Sequence, residues 1–118
     1  MKENVVEQKS FNLSVKIVKL CRKLRIESRE YSLVDQLLRS GTSIGANVSE
    51  GVRAASKADF YAKMNIALKE AQETEYWLRL LVETAILSKE EFDLVYGECK
   101  EVLKILMAIV KSKEISQI

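Results

Sequence analysis

The 118-residue sequence predicts an all-α protein, an antiparallel up-down-up-down four-helix bundle, and three observations carry that prediction. There is no proline and there are only four glycines, so the residues that most disfavour helix interiors are almost missing. Apolar residues recur at three- and four-residue steps through four long segments. Short polar breaks separate those segments, and two of the breaks end in helix-capping sequences. The length is that of one domain, residues 1–118, with room for one modest core.

The first helix is expected from about Asn4 to Glu27, with Asn4 and Glu7 as a capping pair. Steps of 100° gather Leu13, Ile17, Leu20, Cys21 and Leu24 on one side. Phe11, Val15, Val18 and Ile26 fall beyond that side, so the apolar arc exceeds half the circumference. A surface helix needs an arc of only about 100° or somewhat more, and the excess implies a second apolar contact. A polar break over 28–32 leads to the second helix, from about Tyr31 to Glu50, with Leu33, Leu37, Ile44 and Val48 on its stripe. Its middle is nearly all small: Ser40, Gly41, Thr42, Ser43, Gly45 and Ala46. Two glycines inside a helix cost about 1 kcal/mol each relative to alanine, and close approach by another helix is the expected return. A phosphate-cradling loop would need the GxxxxGK[ST] pattern, which is absent.

After 51–55, Ser56 and Asp59 cap the third helix. Its stripe reads Phe60, Met64, Ala67, Leu68, Ala71, Leu78, Leu81, Val82 and Ala85, widened sideways by Trp77 and Leu80. Ser88 and Glu91 form a capping box for the fourth helix, whose core face runs from Phe92 through Val95, Tyr96, Cys99, Val102, Leu103 and Leu106 to Ile109 and Val110.

The lack of histidine excludes Ser-His-Asp and Cys-His nucleophiles, HExxH zinc sites and the Glu-x-x-His pairs of di-iron bundles. Cys21 and Cys99 are far apart and each lies in a helical pattern, so both are expected as reduced core residues. Residues 1–10 lack the apolar core of a signal peptide, and no stretch matches a membrane span, so a soluble cytoplasmic protein is expected. Glu70, Glu73 and Glu75 are a carboxylate cluster of the kind that metal binding or acid-base chemistry uses. With no imidazole or second carboxylate cluster to complete it, pairing with cations is expected instead, Lys69 with Glu73 and Glu75 with Arg79. No metal, cofactor or catalytic residue is assigned.

Charge is unevenly spread. Residues 1–58 carry 11 Lys and Arg against 6 Asp and Glu, a net +5, whereas residues 59–118 carry 8 against 11, a net −3. The densest run is Lys16, Lys19, Arg22, Lys23, Arg25 and Arg29, opposed along the chain only by Glu27, and Arg39, Arg53 and Lys57 extend it. Two readings are open: a face that follows nucleic-acid phosphates, or a structural one, either simply solvated or neutralised by acidic residues of a neighbouring subunit. No zinc knuckle, RNP aromatic motif or GXXG loop argues for base readout.

The run Leu38-Arg39-Ser40-Gly41-Thr42-Ser43-Ile44-Gly45-Ala46-Asn47-Val48-Ser49-Glu50 resembles the signature of a bacterial family encoded in intervening sequences of 23S ribosomal RNA genes. Ser56-Lys57-Ala58-Asp59-Phe60, Ile66-Ala67-Leu68-Lys69-Glu70-Ala71 and Glu73-Thr74-Glu75-Tyr76-Trp77-Leu78 match it too, as does Lys9-Ser10-Phe11 with Ile17-Val18-Lys19-Leu20. The segment 51–55 is poorer in glycine than many relatives. The resemblance implies antiparallel four-helix bundles assembled into ring-like homopentamers. It also implies distant kinship with the basic, pentameric accessory variability determinant of diversity-generating retroelements, which binds nucleic acid and a reverse transcriptase. It brings no catalytic residues, and a structural role suits Arg39, Ser43, Asn47, Glu50, Glu73 and Tyr76 as well as a functional one.

The expectation is therefore a non-enzymatic homo-oligomer, five copies by resemblance, binding RNA or DNA backbone through Lys16, Lys19, Arg22, Lys23, Arg25, Arg29, Arg39, Arg53 and Lys57. Phe11, Val18, Gly41, Gly45 and Trp77 are the expected oligomer contacts. The alternative is a scaffold for another protein, without nucleic acid or membrane.

Overall fold

The computed structural model describes residues 2–116, with side-chain surroundings described for 5–113. Four helices follow one another: α1 (Lys2–Ser28), α2 (Tyr31–Val52), α3 (Lys57–Glu83) and α4 (Lys89–Ser116). At 1.5 Å per residue, the 27 residues of α1 span about 40 Å, which suits a bundle measuring 49 × 23 × 22 Å. Each helix packs against its chain neighbours and α1 also meets α4, so α1 and α3 occupy opposite corners. The α1–α4 seam is the slightest of the four.

The core has the predicted phase. Leu13, Ile17 and Leu24 of α1 meet Leu37 and Ile44 of α2, Leu78 and Leu81 of α3 and Leu106 of α4, all fully buried. Each such side chain contributes about 1.5–3 kcal/mol on leaving water, so this interior dominates the favourable side of folding. On α2, Val34 is fully buried while Leu33 is only half-buried, a shift of one residue from the expected stripe.

The helix ends show how local sequence cuts the chain. Ser56 Oγ accepts a hydrogen bond from the Asp59 N–H at 3.1 Å, capping α3. Ser88 and Glu91 exchange bonds of 3.1 and 3.0 Å, the reciprocal capping box expected before α4. Two expectations fail at other ends. Asn4 lies within α1, which already begins at Lys2, so it does not cap the helix, and its side chain lies outside the described residues. Ala85 does not continue the α3 stripe. The Ala85 N–H donates to Val82 O at 3.1 Å and the Ile86 N–H to Leu81 O at 3.0 Å, a Schellman closure with Ala85 at φ 62°. Glycine usually holds that left-handed place, which is why sequence periodicity ran past it.

The small-residue stretch of α2 is used within the chain. A Cβ on Gly41 would stand 2.7 Å from Ile17 Cγ2, and one on Gly45 would lie 3.1 Å from Ser14 Oγ. On the other side of α2, Ser40 and Thr74 are fully buried, and the Thr74 hydroxyl donates to Glu70 O at 2.8 Å and is hydrogen-bonded with Ser40 Oγ at 3.0 Å. Small side chains thus let α1 and α3 close on α2 from two sides.

Candidate functional site

Helix α1 has two apolar faces. Opposite its buried row, Phe11 is 65% exposed, Val15 38% and Ile26 81%, with Val18 half-buried between them. Phe11, Ser14, Val15, Val18, Lys19 and Arg22 line a shallow depression of about 280 Å³. Rows at three- and four-residue steps lie along one side of a helix, so Phe11, Val15, Val18, Arg22 and Ile26 form a continuous ridge. Nothing in this bundle covers it.

The basic residues are less free than their sequence spacing implied. Lys16 pairs with Glu98, and Lys23 Nζ lies 2.6 Å from Glu91 Oε2. With Lys9 and Glu101 at 2.9 Å they make a ladder of three ion pairs along the α1–α4 seam. Hydrogen bonding to Lys23 is the main reason that the Glu91 carboxyl is held below its ordinary range. Arg25 pairs with Asp35 and lies 4.8 Å over the Tyr31 ring. Arg53 reaches Glu7 at 2.6 Å and also the Ser49 carbonyl at 3.0 Å. Arg39 pairs with Glu73 and, at 3.4 Å, with Glu70. Among the described residues Lys19, Arg22, Arg29 and Lys57 keep no ion pair. The expectation of a stripe opposed only by Glu27 is corrected accordingly: acidic residues of α4, α3 and α2 come alongside it.

The carboxylates of α3 are held by cations, but not by the expected ones. Glu73 takes Arg39 from α2, and the Trp77 indole N–H donates to it at 3.1 Å. That indole bond, with Arg39, keeps Glu73 ionised below the usual range. Glu75 accepts from the Tyr96 hydroxyl at 2.8 Å and pairs with Lys100 at 3.2 Å, both on α4. Pairs three or four residues apart within α3 lose to partners across the seams. No cluster of three or more potential metal ligands occurs among the described residues.

Neither sulfur is poised for chemistry. Cys21 and Cys99 are free and buried, each thiol facing a backbone carbonyl, of Val34 and Ala71 respectively, at 3.7 Å. Burial pushes both thiols up to about 12, so thiolate is scarce at neutral pH. No helix among the described residues is long and apolar enough to cross a membrane.

Of the five expected oligomer contacts, Phe11 and Val18 sit on the open ridge of α1. Gly41 is buried against Ile17 of its own chain, so its place at a subunit interface is corrected. Gly45 packs beside Ser10 and Ser14 and keeps part of its surface. Trp77 is half-buried, its ring edge-on to exposed Tyr76 at 5.1 Å. The Arg39–Glu70–Glu73–Trp77 cluster was missed, although Arg39 and Glu73 both stand in the longest recognisable runs. Across-helix pairing leaves no spacing signal within one helix.

Fold and surface define an all-α four-helix bundle protein with a charge-paired exterior and an uncovered apolar ridge on α1. The 23S rRNA-intervening sequence protein family matches residues 2–108, and the chain belongs to that family. It is also similar to the crystal structure of a protein of unknown function from the S23 ribosomal protein family of Bacteroides thetaiotaomicron. The two share 49% identity over 94% of this chain and 99% of the other, with a TM-score of 0.89. No curated protein matches the chain significantly.

Proposed function

We propose that the chain is a non-enzymatic assembly unit that works as a homo-oligomer, joined through the outward ridge of α1. The observation that carries this reading is the exposure of Phe11, Val15 and Ile26 in one row opposite the buried face of the same helix. Monomers rarely leave a contiguous apolar patch of this kind in water. Five copies is the number that the family resemblance favours. Light scattering tests the reading: the mass should be five times the 13.4 kDa chain, and a single-copy mass at micromolar concentration overturns it. Phe11→Asp with Val15→Asp should lower the mass while the helical circular dichroism stays, because both side chains lie outside the core.

Contact with nucleic-acid backbone is the second reading. It is supported by Lys19, Arg22, Arg29 and Lys57, which keep no ion pair among the described residues, and by the ribosomal family name of the structural relative. Repetition of these cations around an assembly would add weak contacts by avidity. Binding of structured RNA at about 50 mM salt, falling steeply as salt rises, is expected if it holds. A gel shift without any complex at that salt removes it and leaves the scaffold reading.

A further inference from the structure

A second outward row lies on α3, at the corner diagonal to α1. Ile66 is 42% exposed and Tyr76 57%, followed by half-buried Leu80 and exposed Glu83. With Lys69 and Glu73 between them, these residues alternate three- and four-residue steps and so share one side of the helix. Because α1 and α3 both run antiparallel to α2, they point the same way. Their heights can be read through α2: Gly41 meets Ile17, and its neighbour Ser40 bonds to Thr74. Residues 17 and 74 therefore stand about level.

From that level, a rise of about 1.5 Å per residue places the rest. Phe11 comes within about one turn of Ile66. Arg22 falls between Tyr76 and Leu80, and Ile26 stands beside Glu83, with Arg29 just beyond. Neither Arg22, Arg29 nor Glu83 has an ion pair among the described residues.

We infer that the α1 ridge of one copy packs alongside the α3 row of the next copy, the two helices parallel. The inference rests on the self-assembly proposed above and adds which two unlike faces meet. Phe11 then opposes Ile66 and Val18 comes close to Tyr76, and the cations Arg22 and Arg29 approach the acidic end of α3 in the upper half. Lys69 lays its methylene stem across the Val15 region with its ammonium at the rim. Packing α1 on α1 would instead crowd Lys19 and Arg22 of both copies into one seam. Unlike faces make a head-to-tail contact rather than a two-fold pair, and such a contact gives a ring when the rotation from copy to copy closes.

The test uses the full chain carrying both Ile26→Cys and Glu83→Cys, treated with a short flexible bismaleimide and run on a denaturing gel. Cys21 and Cys99 are buried, so the unmodified chain is the blank. The double variant should give a ladder of covalent multimers up to the full copy number, and each single variant should stay at the mass of one chain. A single-copy mass for the unmodified protein by light scattering sinks self-assembly itself. A multimer whose double variant yields no ladder overturns only the α1–α3 pairing. Covalent dimers from Ile26→Cys alone place α1 against α1 and overturn it as well.

Discussion

The two seams flanking α1 are built on different physics. Against α2, α1 closes through Gly41 and Gly45 onto Ile17 and Ser14, with fully buried Ile44 and Val48 alongside. Against α4, it is joined by a ladder of lysines and glutamates, two of which, Lys16 and Lys23, keep about half their side-chain surface in water. Buried contact area carries most of the favourable energy, whereas exposed ion pairs contribute little. One helix is thus anchored firmly on one side and lightly on the other, and the difference can be measured.

The largest effect is expected from hollowing the α2 side. Ile44→Ala should cost about 2–5 kcal/mol, seen as a lower urea midpoint, because the fully buried side chain leaves a cavity. A smaller loss should come from overfilling it. Gly41→Ala sets a methyl against the stiff, branched Ile17, and the strain, about 1–3 kcal/mol, should outweigh the gain in helix propensity. Gly97 on α4 is the control, since a Cβ there meets nothing within 4 Å. Gly97→Ala should therefore stabilise the protein by about 1 kcal/mol, opposite in sign.

On the α4 side, Lys16→Gln should cost only about 0.5 kcal/mol, and less at high salt. Acid should act there in a defined direction. The Glu91 carboxyl titrates lower in the folded chain than in the unfolded one, so its stabilisation is present above the ordinary carboxylate range and is lost as pH falls through the depressed value. Glu91→Gln, which can keep the capping box, should accordingly show a shallower fall in urea midpoint between pH 7 and pH 3.

What the amino-acid order revealed and what it hid follow the same division between local and distant causes. The four helices, the Ser56 cap, the Ser88–Glu91 box and the buried phase of α1, α3 and α4 were legible because each depends on residues a few positions apart. The end of α3 was not, since Ala85 adopts a backbone conformation that its side chain disfavours and that only the Schellman bonds account for. The partners of Lys16, Lys23, Arg39 and Glu75 also stayed hidden, because they sit on other helices at sequence separations from 21 to 82 residues. For the same reason the small stripe around Gly41 could be read as a close approach but not assigned to α1.

The two buried sulfurs give this protein a pair of internal clocks. Cys21 is shut in where α1 meets α2, and Cys99 where α4 meets α3. Since neither can react until its seam opens, the pace at which each thiol takes up an alkylating reagent records how often its half of the molecule breathes. The chain carries, without any added label, a separate timer for each pair of helices.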